Sequence, residues 1–255
     1  MKVLLTNDDG YNAEGILVLA HEIASRGNEV TIVAPERQRS AASHAVTLHK
    51  PLRLIRVTEL EKENIRVFYT NGTPADSAMI GLLEAAPDSD ICISGINNGP
   101  NLGEDVLYSG TVAGAMEGAL IGCKSISVSL SEHGWADYEL AAKFTAGLAA
   151  RLVESDLPDK TALNVNVPPL LFSEYKGFRI VPLGSRKYVD VLQKRIDPRG
   201  QAYFWITGEL IREDTEPYND NNAIADGYIS VTPLVLDFTD YRMLEKCRFD
   251  DPMQA

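Results

Sequence analysis

The chain has 255 residues, 45% of them hydrophobic and 24% charged, enough to bury a full core as one α/β domain or as a core with a smaller appendage. Its formal net charge of −12 argues against non-specific binding to nucleic acid or to an anionic membrane surface. No window approaches the apolar length of a membrane span, and the three cysteines, Cys92, Cys123 and Cys247, show neither an even disulfide framework nor a CxxC spacing.

Met1 and Lys2 lead straight into Val3, Leu4 and Leu5, and polar Asn7, Asp8 and Asp9 end this run too early for a signal peptide, so the expected location is the cytoplasm. Lys2 to Leu5 reads as a first strand and Gly15 to Arg26 as a helix that Gly27 terminates. Val30 to Ala34 is a second strand, stopped by Pro35. Thr73-Pro74-Ala75-Asp76 has the order of an N-cap, a proline at the first helical position and an acid in the first turn, which predicts a helix running to about Ala86. Ile91 to Ser94 is a short buried strand, Thr111 to Gly122 helical, Ser125 to Leu130 extended, and Asp137 to Glu154 a long amphipathic helix. Asn164-Val165-Asn166-Val167 is one more strand before Pro168-Pro169. Strands alternating with helices imply a mostly parallel sheet covered by helices.

Beyond about Tyr175 the texture changes. Short β-like pieces (Phe178 to Leu183, Ala202 to Ile206, Tyr228 to Pro233) are punctuated by Gly, Pro, Asp and Asn, and the charged stretch from Arg186 to Ala225 predicts hairpins and arms that pack on another subunit. The expected division is therefore a core over residues 1–175 and a β-rich extension with an oligomerisation segment over 176–255, its last strands free to return to the core.

In an open parallel sheet, chemistry gathers where strands end at their carboxyl edge. Directly after the first strand comes Thr6-Asn7-Asp8-Asp9-Gly10. Adjacent carboxylates repel unless a cation lies beside them, and oxygen ligands of this type suit Mg²⁺, Mn²⁺ or Ca²⁺ better than zinc. The same residues also make a good turn. The loop after the second strand, Pro35 to Ala45, offers Ser40 and Ser43 as hydroxyl ligands, Arg37 and Arg39 as positive charge, and His44 as an acid or base, although ordinary surface loops use the same residues. The third loop runs from Ser94-Gly95-Ile96-Asn97 through Asn101 to Ser109-Gly110-Thr111, just before a helix. Its free N–H groups, its hydroxyls and the helix dipole would face an anion, and Asn97 can lend a neutral amide oxygen to a cation shared with Asp8 and Asp9. Turn formation and simple N-capping explain the same residues.

Taken in order, these motifs resemble the survival protein SurE family of 5′/3′-nucleotidases. The likeness runs through Lys2 to Gly10, Ala34 to Ser40, Gly72 to Asp76, Ser94 to Gly103, Tyr108 to Ala113 and Asn164 to Pro168, and reaches Asp197-Pro198-Arg199-Gly200 and Gly227 to Pro233. The resemblance implies a Rossmann-like, three-layer α/β core with a β-rich hairpin extension and C-terminal arm, assembled as a homodimer or homotetramer. It implies one divalent metal ion per subunit (Mg²⁺ or Mn²⁺, with Ca²⁺ as another occupant) on Asp8, Asp9, Ser40 and Asn97. The implied reaction is hydrolysis of a nucleoside monophosphate by a metal-activated water, with short polyphosphate as a side substrate. Asp8 or Asp9 would take the water proton, and Asn101, Ser109, the Gly110 N–H and Thr111 would hold the phosphoryl group. One departure is visible: the family often has glycine after the metal-binding serine, whereas this chain has Ala41, whose backbone is more restricted.

Two other readings are open at this level. A covalent aspartyl-phosphate phosphatase would place its acids as Asp-x-Asp, a spacing Asp8-Asp9-Gly10 lacks. A non-catalytic nucleotide-binding or interaction module would use Ser109 to Thr111 for phosphate and the acids only as caps.

Overall fold

Strand β1 (Lys2–Thr6) lies in the interior of the main sheet and is buried on both faces. Val3 and Leu5 pack towards Ile16, Leu19 and Ile23 of helix α1 (Glu14–Ser25), whereas Leu4 packs with Val33 and Cys92 under the opposite helix layer. Two-sided burial explains why the strand reads as a continuous apolar run, and each such side chain contributes roughly 1.5–3 kcal/mol. The computed structural model describes residues 1–135, 137–211, 217–244 and 246; Cys247 lies outside them.

The chain continues through β2 (Glu29–Pro35), β3 (Leu54–Arg56), β4 (Ile65–Thr70), α2 (Pro74–Ile80), β5 (Ile91–Asn97), α3 (Gly110–Ile121), β6 (Lys124–Leu130), α4 (Glu139–Val153) and β7 (Thr161–Val167). Then follow β8 (Phe178–Ile180), β9 (Lys187–Ile196), β10 (Ala202–Ile211), α5 (Asp220–Ala225), β11 (Ile229–Val235) and α6 (Tyr241–Leu244). Nine strands form one sheet in the order β3-β4-β2-β1-β5-β6-β7-β11-β8. Strands β4, β2, β1, β5, β6 and β7 are mutually parallel, while β3 on β4 and β11 on β7 run antiparallel. Helices α1 and α4 cover one face and α2 and α3 the other, so the core is a three-layer α/β sandwich.

From β1 the chain winds outwards through β2 to β4, then returns to the other side of β1 and winds through β5, β6 and β7. The gap between β1 and β5 is thus the point where the winding reverses, and a crevice opens there at the carboxyl edge. Beyond residue 175, β8 and β11 join the main sheet, and β9 and β10 form a separate antiparallel hairpin. Phe204, Trp205 and Ile206 stay exposed along that hairpin. No helix among the described residues is long and apolar enough to cross a membrane.

Helix α2 starts as its residues predict. The Thr73 hydroxyl accepts from Asp76 N and the Asp76 carboxylate accepts from Thr73 N, with Pro74 in the first turn. Strands β3 and β4 have no counterpart among the elements read from the sequence. Next to β2, β4 leaves Arg66 at an exposed position where its Nη2 donates to Thr31 Oγ1 at 2.9 Å, so the strand lacks the unbroken apolar run that marks β1.

Candidate metal and phosphate site

The turn after β1 is built by Asn7. Its side-chain amide donates to Gly10 O at 2.9 Å and accepts from Gly10 N at 3.0 Å, and Gly10 takes the left-handed φ of 108° that closes the turn. This closure leaves Asp8 and Asp9 at the mouth of the β1/β5 crevice. There a cavity of about 280 Å³ is lined by Asp8, Asp9, Ser40, Ala41, Asn97, Asn101 and Ser109, with Gln38, Asn98, Pro100, Asp105, Tyr108 and His133 completing its wall.

Asp8 is only 7% exposed. Burial pushes its carboxyl up from 3.8 to about 6; the hydroxyl of Thr111, which donates to Asp8 Oδ1, pulls in the opposite direction, and the charge of Asp9 adds a further rise. Asp9 is also raised by burial, offset by the Asn98 backbone N–H, by Gln38 Nε2 at 3.3 Å and by the nearby His133. Two raised carboxylates stand side by side with no Lys or Arg among the described residues of the cavity wall, an arrangement that a bound cation would compensate. The third acid, Asp105, already pairs with Arg186 Nη1 at 2.8 Å. Among the described residues no cluster of three or more His, Cys, Asp or Glu ligands exists; with His133 Nδ1 bonded to Asn98 O, the donors facing the cavity are mainly carboxylate, hydroxyl and amide oxygens, a set that fits Mg²⁺, Mn²⁺ or Ca²⁺.

Ser40 reaches the wall on the loop after β2. Arg39 N donates to Asp8 O at 2.7 Å, and Ser43 binds the third loop through Tyr108 O at 3.0 Å and Leu107 O at 2.7 Å. The residue after Ser40, Ala41, takes φ 55° in the left-handed region that glycine would adopt without cost. Asn97, at the end of β5, donates through Nδ2 to Gly99 O at 2.8 Å, which turns its amide oxygen away from Gly99.

Helix α3 meets the site end-on. Ser109 is its N-cap, accepting from Val112 N at 3.1 Å. Gly110 lets the first turn approach β1: a Cβ there would lie 2.9 Å from Asp8 Cβ and 3.1 Å from Pro74 Cγ. Thr111 is fully buried behind Asp8, so its hydroxyl serves the carboxylate and does not open into the cavity. Asn101 is held from both sides. Its N–H donates to Asn166 Oδ1 at 2.9 Å, its carbonyl accepts from Asn164 and Asn166 Nδ2, and its own Nδ2 donates to Ser129 Oγ at 2.7 Å.

Some candidates from the sequence fall outside this cavity. Arg37 lies on the surface beside Glu36, and Arg39 turns to Asn71 O at 3.3 Å, so neither guanidinium lines the site. His44 pairs with the buried Glu117 of α3 at 2.7 Å and pins the second loop without entering the site. Conversely, His133 lines the cavity from the loop after β6, its Nδ1 bonded to Asn98 O at 2.8 Å, and the sequence reading omits it. The rule that loops at carboxyl edges carry sites applies to β6 as much as to β5 and would have found it.

Fold and site together define a Rossmann-like α/β protein with an acidic, oxygen-lined cavity at the reversal of its sheet and a helix N-terminus behind it. The profile of the Survival protein SurE family matches residues 3–190. The chain is 46% identical over 259 residues to the 5′-nucleotidase SurE of Natranaerobius thermophilus, covering 98% of this chain and 100% of that one. It is 48% identical over 244 residues to the 5′-nucleotidase SurE of Moorella thermoacetica, covering 94% and 92%. The crystal structure of the SurE protein from Aquifex aeolicus superposes with a TM-score of 0.83 at 37% identity, over 97% of this chain and 98% of that one. The chain belongs to the SurE family.

Proposed function

We propose that this chain is a divalent-cation-dependent nucleotidase that hydrolyses nucleoside 5′-monophosphates, and 3′-monophosphates as a second class, to nucleoside and phosphate. The observation that carries the reading is the convergence of Asp8, Asp9, Ser40 and Asn97 on one cavity in front of helix α3. The relatives named 5′-nucleotidase match it over nearly their whole length.

In this reading Asp8, Asp9, Ser40 and Asn97 hold one Mg²⁺ or Mn²⁺, a site Ca²⁺ also fits. When bound, the cation supplies positive charge against the phosphoryl oxygens and acidity for a water nucleophile. The remaining work falls to the protein. Thr111 holds Asp8 in its ionised, correctly turned form. Asp9, the less buried of the two carboxylates, takes a proton from the attacking water. The N-terminus of α3 presents the Gly110 N–H, the Ser109 hydroxyl and the positive end of its dipole to the phosphoryl oxygens, while the Ser109 N–H is spent on Asp105 O, and Asn101 fixes the loop that completes the wall. Supporting an assembled form, the hairpin β9–β10 exposes Phe204, Trp205 and Ile206, which suits a homodimer or homotetramer built by the extension over residues 176–255 on a core over 1–175. A cytoplasmic location, and short polyphosphate as a side substrate, belong to the same proposal.

A phosphate-release panel of nucleoside monophosphates against Mg²⁺, Mn²⁺, Ca²⁺ and EDTA tests it. Release that needs the cation and is abolished in Asp8→Asn supports it. Nucleotide binding without release under any cation would favour a non-catalytic module, and near-normal turnover by Asp8→Asn would remove the assignment.

A further inference from the structure

On the outer side of α4, away from the crevice, a second cavity of about 410 Å³ shares no residue with the one around Asp8. Its wall combines aromatic rings with cations. Phe144 meets Phe178 and Tyr175 at centroid distances of 5.7 and 6.3 Å, and Lys143 Nζ sits 4.4 Å over the Phe172 ring. Arg26, at the end of α1, is anchored to Glu22 at 2.7 Å and to Lys143 O at 3.2 Å, which fixes its guanidinium at the pocket floor. Lys143 is partly neutralised by Glu139. Arg151 has no ion pair among the described residues, yet its charge acts on the Tyr175 phenol. The floor stays open because Gly147 carries no side chain: a Cβ there would meet only Arg26 Nη1, at 3.8 Å.

Four rings and three cations around one recess are unusual on a chain of net charge −12. An inorganic anion has no use for the rings, and a neutral apolar ligand has no use for the arginines. A planar aromatic group bearing a phosphate uses both, through stacking and through charge-assisted hydrogen bonds. The volume falls in the range of small-molecule pockets. A second copy of the chain docking through this face about a two-fold axis would bring two copies of the same cation-bearing patch together, which disfavours that occupant.

We propose that this pocket is a second, non-catalytic site for a nucleoside phosphate, with the base among Phe144, Phe172, Tyr175 and Phe178 and the phosphate between Arg26 and Arg151. The choice of a nucleotide among aromatic anions rests on the reading of the chain as a nucleotidase.

The test is equilibrium binding of AMP to the full chain in EDTA, where turnover is blocked. The wild type and Asp8→Asn should bind alike, and adenosine should bind roughly tenfold more weakly than AMP. Gly147→Leu fills the recess while improving helix propensity, and Arg151→Glu reverses the free charge; each should weaken AMP by roughly tenfold or more and leave cation-dependent phosphate release unchanged. Absence of binding up to about 5 mM AMP would overturn the proposal. So would AMP binding that survives in Gly147→Leu and Arg151→Glu, or light scattering in which Gly147→Leu dissociates an oligomer, since the face would then join two copies. Persistent binding in EDTA without phosphate release under any cation would instead sink the nucleotidase reading and leave this site standing.

Discussion

The Thr111 hydroxyl donates a hydrogen bond to Asp8 Oδ1, joining the first turn of α3 to the end of β1 across 103 positions of sequence. Thr111→Val keeps the shape but removes the donor from a buried carboxylate. A hydrogen bond to a charged group is worth about 1.5–3 kcal/mol, so the apparent affinity for Mg²⁺ or Mn²⁺ should fall by roughly tenfold or more. Cation titrations of phosphate release measure it, and Thr111→Ser should restore most of the loss. Unchanged cation affinity in Thr111→Val would show that the bond does not support Asp8.

Asp8 gives the cation-free protein a defined pH dependence. Its folded-state value lies at about 6, above the ordinary 3.8, so the folded chain holds this proton more tightly than the unfolded chain. The stabilising protonation is fully present below the unfolded value and is lost as pH rises through the folded one. The displacement corresponds to about 3 kcal/mol of stability lost between roughly pH 4 and pH 7. In EDTA, the difference in unfolding free energy between wild type and Asp8→Asn should therefore grow as pH rises across that window. Added Mn²⁺ should stabilise the wild type more at about pH 7.5 than at about pH 5, because the cation binds the ionised form. A difference that stays flat with pH would contradict the burial argument.

Gly110→Ala places a methyl group within 2.9 Å of Asp8 Cβ, where backbone and Pro74 leave little room. Alanine suits a helix better than glycine, so the fold should survive, but Asp8 must shift. Displacements near 1 Å cost catalysis on the order of 100-fold, and kcat should drop accordingly while the thermal midpoint changes little. Normal turnover would mean that Asp8 has freedom the packing denies it.

Ala41→Gly relieves a left-handed backbone at φ 55°. The strain relieved is about 1–2 kcal/mol, partly offset by the greater entropy of glycine in the unfolded chain. A net gain of up to about 1 kcal/mol is expected by denaturant unfolding, with phosphate release retained. A lower stability would show that the loop around Ser40 depends on alanine.

Much of the candidate cavity was legible because its walls are built at strand ends. Asp8, Asp9, Ser40 and Asn97 all lie just past apolar runs that mark buried strands, and Ser109 caps α3 as its residue type predicts. Arg37 and Arg39 misled because side-chain direction decides their role: the residues lie in the right loop but point to Glu36 and Asn71. The Asn164 and Asn166 pair read only as part of a strand. Two amides at alternate positions of a buried strand share one face and need partners there, which was the available signal that they hold a neighbouring loop.

The sequence by itself determined the alternation of buried strands and amphipathic helices, the capping of α2 and α3 and the placing of oxygen-bearing side chains at strand ends, because these depend on side chains within a few residues of one another. Tertiary structure alone decided that Thr111 turns back onto Asp8, that Asn166 grips Asn101 from 65 positions away, and that His133 enters the cavity. Those contacts arise where the winding of the sheet reverses and brings distant loops together. No local pattern records which loops will meet there, since the choice follows from strand order and from the demand that buried polar groups find partners.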